Sequence, residues 1–188
     1  MNSRTKILIS VMILIFCGSM LWGESYGEKT AANLKAKGWN PSLIVILIST
    51  LPIVELRGSI PVAIAVLGMP WQKAVALSIL GNMLPIPFLL LLLEWFFKMI
   101  SRYKWGKKFT DWMYNRTRNK GKVVERYEEI GLAIYVGIPL PGTGGWTGSL
   151  AAKIFGLPFT KSLLWIFIGV LIAATVVTLL TLLGVAIF

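Results

Sequence analysis

The sequence predicts an all-α integral membrane protein in which a re-entrant helical hairpin followed by a transmembrane helix occurs twice, the second copy inverted. Three observations predict it. Of the 188 residues, 56% are hydrophobic, against about 45–50% apolar residues in a soluble domain, and the mean hydropathy is +0.73. The apolar residues fall in long runs, which must face lipid or one another. Two of these runs are broken at mid-length by proline, glycine and polar residues, and each is followed by a longer apolar run.

The formal charge is +11. A basic balance can serve nucleic acid, but here the charge lies between apolar runs. It points instead to cytoplasmic loops, with the lipid bilayer and its anionic headgroups as partners. A single cysteine, Cys17, leaves no internal disulfide. There is no histidine, and the acids are Glu24, Glu28, Glu55, Glu94, Asp111, Glu125, Glu128 and Glu129. A hydrolytic metal site needs several converging ligands. No metal, cofactor or catalytic residue is therefore expected, and enzyme chemistry is disfavoured.

Arg4 and Lys6 precede an apolar run, Ile7 to Trp22. It is short beside a span of about 20 residues, so residues 1–25 read as either a signal peptide or an N-terminal membrane anchor. Leu14-Ile15-Phe16-Cys17 faintly resembles a lipoprotein cleavage site, but bulky Phe16 stands where a small residue is expected. Either reading puts residues 26–41 outside the cytoplasm. Residues 42–188 form the membrane domain, with 42–97 and 130–188 as its two repeats.

Leu43 to Leu67 is apolar but carries Pro52, Glu55, Arg57, Gly58 and Pro61 in its middle. A simple span does not place two charges and such backbone breakers at bilayer depth. The predicted form is a hairpin with arms Ser42–Leu51 and Ser59–Leu67 and with Pro52, Gly58 and Pro61 forming the turn. At about 1.5 Å per residue each arm reaches roughly 15 Å, half of a hydrocarbon core about 30 Å thick. The turn then lies near the midplane, where irregular backbone is tolerated only beside protein or a wet cavity.

Ala74 to Leu93 follows as a span, with Gly81-Asn82 and Pro85/Pro87 as predicted kinks and Trp71 and Trp95 as interface anchors. Residues 98–129 carry ten Lys/Arg against four acids, so the positive-inside rule makes this loop cytoplasmic. Phe109, Trp112, Met113 and Arg116 fall at helical spacing, either as a helix lying on the inner leaflet or as part of a solvated loop. Ile130 to Phe155 is again apolar and broken in its middle. Its arms are Ile130–Ile138 and Trp146–Phe155, and its turn runs from Pro139 through Pro141 and Gly142 to Gly145. Lys153 is expected to snorkel to the cytoplasmic surface. Ser162 to Phe188 is the last span.

The two halves match in order. Gly68-Met69-Pro70-Trp71-Gln72-Lys73 aligns with Gly156-Leu157-Pro158-Phe159-Thr160-Lys161, and the same register puts Gly81 opposite Gly169. Pro52 aligns with Pro139 after a slip of one residue. A re-entrant hairpin crosses nothing and a span crosses once, so the copies insert in opposite senses. Inverted repeats with broken helices meeting at the midplane mark secondary transporters. The competing reading is two coincidentally kinked spans in a structural protein.

Three stretches carry a resemblance: Pro52-Ile53-Val54-Glu55-Leu56-Arg57-Gly58-Ser59-Ile60-Pro61, then Gly81-Asn82, then Ile138-Pro139-Leu140-Pro141-Gly142-Thr143-Gly144-Gly145-Trp146-Thr147-Gly148-Ser149. Together they closely resemble the motifs of the small multidrug export proteins, over roughly residues 42–188. The layout resembles, more distantly, the DedA/VTT membrane proteins, which have paired re-entrant helices and are implicated in moving lipids or polyprenyl-phosphate carriers. Glu55 precedes Pro61 as an acid precedes prolines in their first hairpin. Their arginines after the later proline-rich turn have no counterpart here. The resemblance implies a transporter or lipid flippase in the plasma (inner) membrane of a bacterium or archaeon, alternating access around the two turns. A non-transporting membrane-integrity or scaffold protein is the alternative.

Charges at the bilayer centre cost about 2.5–3.5 kcal/mol each on insertion scales, so Glu55 and Arg57 are expected to pair or to line a wet cavity. As a site, Arg57 would attract an anionic group while Glu55 takes and releases a proton. As structure, the pair would staple the hairpin. In the second turn, the backbone N–H groups, those of Thr143, Gly144 and Gly145 among them, with the start of the arm at Trp146 and the hydroxyls of Thr143 and Thr147, could cradle an anion. Alternatively the glycines merely allow tight helix crossing. Asn82 in a span more often makes an interhelical hydrogen bond than contacts substrate. Two spans and two hairpins make a thin wall around any path, which leaves a homodimer open.

Overall fold

The computed structural model describes residues 26–100, 102–103, 108, 124–139 and 143–187. Residues 1–25 with Cys17, the Phe109–Arg116 segment, and Pro141 and Gly142 lie outside them. Every regular element among the described residues is helical. The order is α1 (26–36), α2 (Pro41–Thr50), α3 (Glu55–Pro61), α4 (Trp71–Met83), α5 (Ile86–Ile100), α6 (Val124–Gly137), α7 (Gly145–Ile154) and α8 (Phe159–Ile187). Two stretches are long and apolar enough to cross a membrane, Trp71–Ile100 and Phe159–Gly184. The chain is an all-α membrane protein.

Helix α1 lies where the sequence predicts only a plain segment, 26–41. It covers the first hairpin. Ala31 is fully buried against Ile44 and Ile48 of α2 and Val54 and Val62 beyond them. The chain then turns through Gly38, at φ 79°. Asn40 caps α2 by accepting from the Ser42 N–H at 2.9 Å, with Pro41 at the first helical position.

The first break is shorter than predicted and lies earlier. It covers Leu51 to Val54, with Pro52 exposed. Glu55, Arg57 and Gly58 belong to the first turns of α3 instead. Pro61 also sits inside that helix, buried, and not in the turn. Proline removes a donor and crowds the preceding turn. The chain continues beyond it as a π-turn over Val62–Val66, a rare form often found near functional sites.

Helices α4 and α5 form the predicted span, and the break falls at Leu84 and Pro85. Gly81 and Asn82 remain helical. Their predicted kink is absent because Gly81 serves a close helix approach. A Cβ there would lie 2.7 Å from Ser49 Cβ and would strike the Ile46 carbonyl oxygen of α2. The second half repeats this contact. A Cβ at Gly169 of α8 would lie 2.6 Å from Val136 Cβ and 2.8 Å from the Ala133 carbonyl oxygen of α6. The spacing that maps Pro52 onto Pro139 also maps Ile46 onto Ala133 and Ser49 onto Val136. Gly68 and Gly156 share positive φ, 65° and 73°, and each leads into a proline and the next helix.

The core joins the halves. Leu56 and Ile60 of α3, Ile86 and Leu90 of α5, Leu132 and Val136 of α6, and Ile166 and Val170 of α8 form one buried cluster. The outer surface is apolar as well: Phe88, Leu92 and Leu183 are 58–69% exposed, which suits side chains that face lipid.

Two ion pairs lie away from this core. Lys153 does not simply snorkel to the surface; it pairs with Glu94 of α5 at 3.3 Å. Glu129 pairs with Lys161 at 2.7 Å and accepts from Trp165 Nε1 at 2.8 Å. The hydrogen bond from Lys161 holds the Glu129 carboxyl below its ordinary value of 4.5, with partial burial opposing and the Lys161 charge and Trp165 assisting. A lowered folded value contributes stability above the ordinary carboxyl range, and that contribution is lost as pH falls through the folded value. In detergent, wild-type protein is therefore expected to lose its thermal advantage over Glu129→Gln as pH is lowered below 4.5. A constant difference between the two thermal midpoints down to strong acid contradicts this.

Candidate substrate and ion site

The two broken segments meet. Glu55 opens α3 with φ 48°, a left-handed conformation that is uncommon for a residue with a Cβ and stores strain of about 1–3 kcal/mol. Its side chain is buried and crosses to the second segment. There Glu55 Oε1 accepts from the Trp146 N–H at 3.4 Å, at the start of α7. The carboxylate fits only because residue 144 has no side chain: a Cβ on Gly144 would stand 2.6 Å from Glu55 Cδ. An acid at a helix N-terminus satisfies an otherwise unpaired donor and faces the positive end of the helix dipole.

Arg57, two residues further along α3, also crosses. Its Nη2 donates to Thr143 Oγ1 at 3.1 Å and to the carbonyl oxygens of Val136 and Ile138, both at 3.4 Å. Thr143 in turn donates to the Ile138 oxygen at 2.7 Å. Arg57 thus collects carbonyls near the end of α6, which carry the negative end of that helix dipole. The acid serves the start of one helix and the base the end of another. Glu55 and Arg57 also attract each other, so the pair expected from the sequence is spread across both segments.

Trp146 adds a contact in the opposite direction. Its indole Nε1 donates to the Thr50 carbonyl oxygen at 3.2 Å, an acceptor left over at the end of α2. Sequence reasoning singles out neither Thr50 nor the indole. The signal available is a tryptophan directly after a glycine pair at the start of an arm.

Of the remaining residues singled out, Thr147 shapes the start of α7: its Oγ1 accepts from the Gly144 N–H at 2.9 Å. Pro139 lies at the end of the α6 segment, part-buried. Asn82 departs from expectation. It is fully buried, yet neither Oδ1 nor Nδ2 has a hydrogen-bond partner. Its Oδ1 faces Gly145, 3.7 Å from where a Cβ would stand. Glu55 and Asn82 therefore border neighbouring glycines, Gly144 and Gly145.

A buried hydroxyl chain lies behind this contact, and sequence reasoning misses it as well. Ser49 donates to Ser59 at 2.7 Å, and Ser59 to Ser78 at 2.8 Å, linking α2, α3 and α4. Serines in apolar runs carry little periodic signal. Only their spacing, Ser59 one turn after Glu55 and Ser78 one turn before Asn82, hints at a shared face.

Neither a curated protein nor a solved structure matches the chain. A family model described as "Putative small multi-drug export protein" matches residues 55–176. The match begins at Glu55 itself and runs through Arg57, Asn82, Thr143 and Gly144 into α8, so it takes in both halves of the contact and most of the chain. The protein belongs to the small multi-drug export protein family.

Proposed function

We propose that this chain is a secondary transporter of a plasma (inner) membrane, with its site where the first break meets the second. The observation that carries the reading is the crossing of Glu55 and Arg57 onto the ends of α7 and α6. A buried acid and a part-buried base that hold two discontinuous helices together are expensive in lipid and sit where such transporters bind substrate and coupling ion. Arg57, with Tyr135 of α6 near it, attracts an anionic group, and Glu55 takes and releases a proton beside Arg57. In this reading 42–97 and 130–188 are inverted repeats whose hairpins enter from opposite faces. The matched glycine crossings and the matched Gly68 and Gly156 turns support the repeat, and the distant DedA/VTT likeness agrees with it. The basic loop 98–129 is cytoplasmic, against anionic headgroups. Access alternates as one repeat rocks against the other.

The test is flux in proteoliposomes, with ethidium and a fluorescent phosphatidate as probes. Glu55→Gln and Arg57→Ala are each expected to lower flux by about tenfold or more, since each removes a charge-assisted hydrogen bond worth about 1.5–3 kcal/mol. Unchanged flux with both replaced removes the site assignment. The same contacts would also suit a structural latch, because both charges are engaged within the protein. Absence of flux of either probe from the intact protein favours that second reading, a membrane-integrity or scaffold protein.

A further inference from the structure

The start of α7 already holds an anion, and that anion is part of the protein. The Glu55 carboxylate lies against Gly144 and accepts from the Trp146 N–H. On one side stand Arg57 and Thr143, joined at 3.1 Å. On the other stands Asn82, fully buried and with neither end of its amide hydrogen-bonded. A buried amide without partners is rare and costly, so its presence calls for a ligand. Because nothing holds either end, the amide can turn its NH2 group toward the start of α7. Backbone N–H groups at a helix start, a guanidinium and an amide form a donor set, which fits oxygen anions.

We propose that the Glu55 side chain is a tethered occupant of an oxyanion site, and that a small carboxylate or phosphate group takes its place against the start of α7, Asn82 and Arg57. The proposal rests on the transport reading and names its substrate class. Glu55 is suited to leave: its backbone is left-handed, a strain that a rearranged first turn of α3 would release. Its contact with Trp146 is long, at 3.4 Å, near the outer limit for a hydrogen bond. Occupancy by the tether keeps the site closed in the empty protein. Occupancy by the free anion leaves Glu55 able to move.

Glu55→Gly tests this, since it empties the site and suits the left-handed backbone. In purified protein, formate or inorganic phosphate is expected to raise the thermal midpoint of Glu55→Gly above that in chloride of equal ionic strength. The half-effect concentration should be about tenfold below that of wild type, as for a site freed from an occupant present about nine-tenths of the time. Adding Arg57→Gln or Asn82→Leu should abolish the response. Dihexanoyl phosphatidate forms a third arm: a response to it alone assigns the ligand to a lipid headgroup, and a response to formate and phosphate assigns it to a free anion. If Glu55→Gly does not fold, Glu55→Ala, which also empties the site, is read by the same gain over wild type. A response no larger than that of wild type overturns the proposal, as does one that survives both second substitutions. Dye flux is scored separately. Flux by wild type without an anion response in the variants overturns this inference and leaves the transport reading standing; an anion response without flux does the reverse.

Discussion

Gly144→Val is expected to separate the two broken segments and to abolish flux. The first atom of any side chain at 144 would stand 2.6 Å from Glu55 Cδ and Oε1 and closer still to Oε2. The obstacle is not the backbone, which is extended at φ −173° and open to any residue. It is the volume the carboxylate occupies. Valine adds two more methyl groups, so Glu55 must withdraw. Its retreat leaves the Trp146 N–H without its acceptor and strips the balancing charge from beside Arg57. The clash falls on the far end of a flexible side chain, and Arg57 keeps its acceptors on the second segment, so the cost is that of overpacking, about 1–3 kcal/mol. A loss of that size is expected in denaturant or thermal unfolding, with flux at background. The steric cause has its own signature. Glu55→Asp shortens the acid by one methylene, so Glu55→Asp should partly restore Gly144→Ala, and the double-mutant cycle should show positive coupling. Gly144→Ala that is as stable and active as wild type contradicts the contact.

The second large effect concerns the paired glycines. Gly81→Leu and Gly169→Leu are each expected to destabilise the protein by about 3 kcal/mol or more, beyond ordinary overpacking because backbone stands in the way. At Gly81 the obstacles are the carbonyl oxygen and Cα of Ile46 together with Ser49 Cβ; at Gly169 they are the Ala133 oxygen and Val136. Carbonyl oxygens on a packed helix cannot give without moving the helix. Gly131 provides the control. It lies in α6, and a Cβ there would meet nothing within 4 Å, so Gly131→Ala should change stability by no more than about 1 kcal/mol, in the direction of helix propensity. Unfolding in detergent measures all three. Near-equal effects at 81, 131 and 169 contradict the close crossings.

Much of the architecture is legible in the chain because lipid leaves few options. Long apolar runs have to be helices, and prolines with charges in mid-run signal a break nearby. The described flanks of the second break lie within one residue of expectation, α6 ending at Gly137 and α7 starting at Gly145. The first differs by several residues. Glu55 to Pro61 looks like a turn by composition, yet it is helical because Leu56 and Ile60 are drawn into the core shared with α5, α6 and α8. Packing overrides the penalty of Pro61. Gly81 and Asn82 look like a kink and prove to be a close approach and an unpartnered amide. That distinction depends on what α2 and α7 place beside them, and no local pattern encodes it. Helix α1 is illegible for the same reason: its buried residues, Gly27 and Ala31, have meaning only against Ile44, Val54 and Val62. The convergence of Glu55 and Arg57 with Thr143 and Gly144 is legible as chemistry, since charges in lipid need partners, but not as geometry.

Re-entry of both hairpins is tested most directly by which side of the membrane their flanks face. In a Cys17→Ser background, single cysteines at Lys37, Gln72, Lys108 and Thr160 can be labelled with a membrane-impermeant maleimide in intact cells and in inverted vesicles; Lys37, Gln72, Lys108 and Thr160 are all exposed. Hairpins that dip and return put positions 37 and 72 together outside the cell, and positions 108 and 160 together inside. Positions 37 and 72 labelled from opposite sides, or 108 and 160 likewise, mean that a broken segment crosses completely, and the inverted arrangement around Glu55 and Arg57 is then wrong.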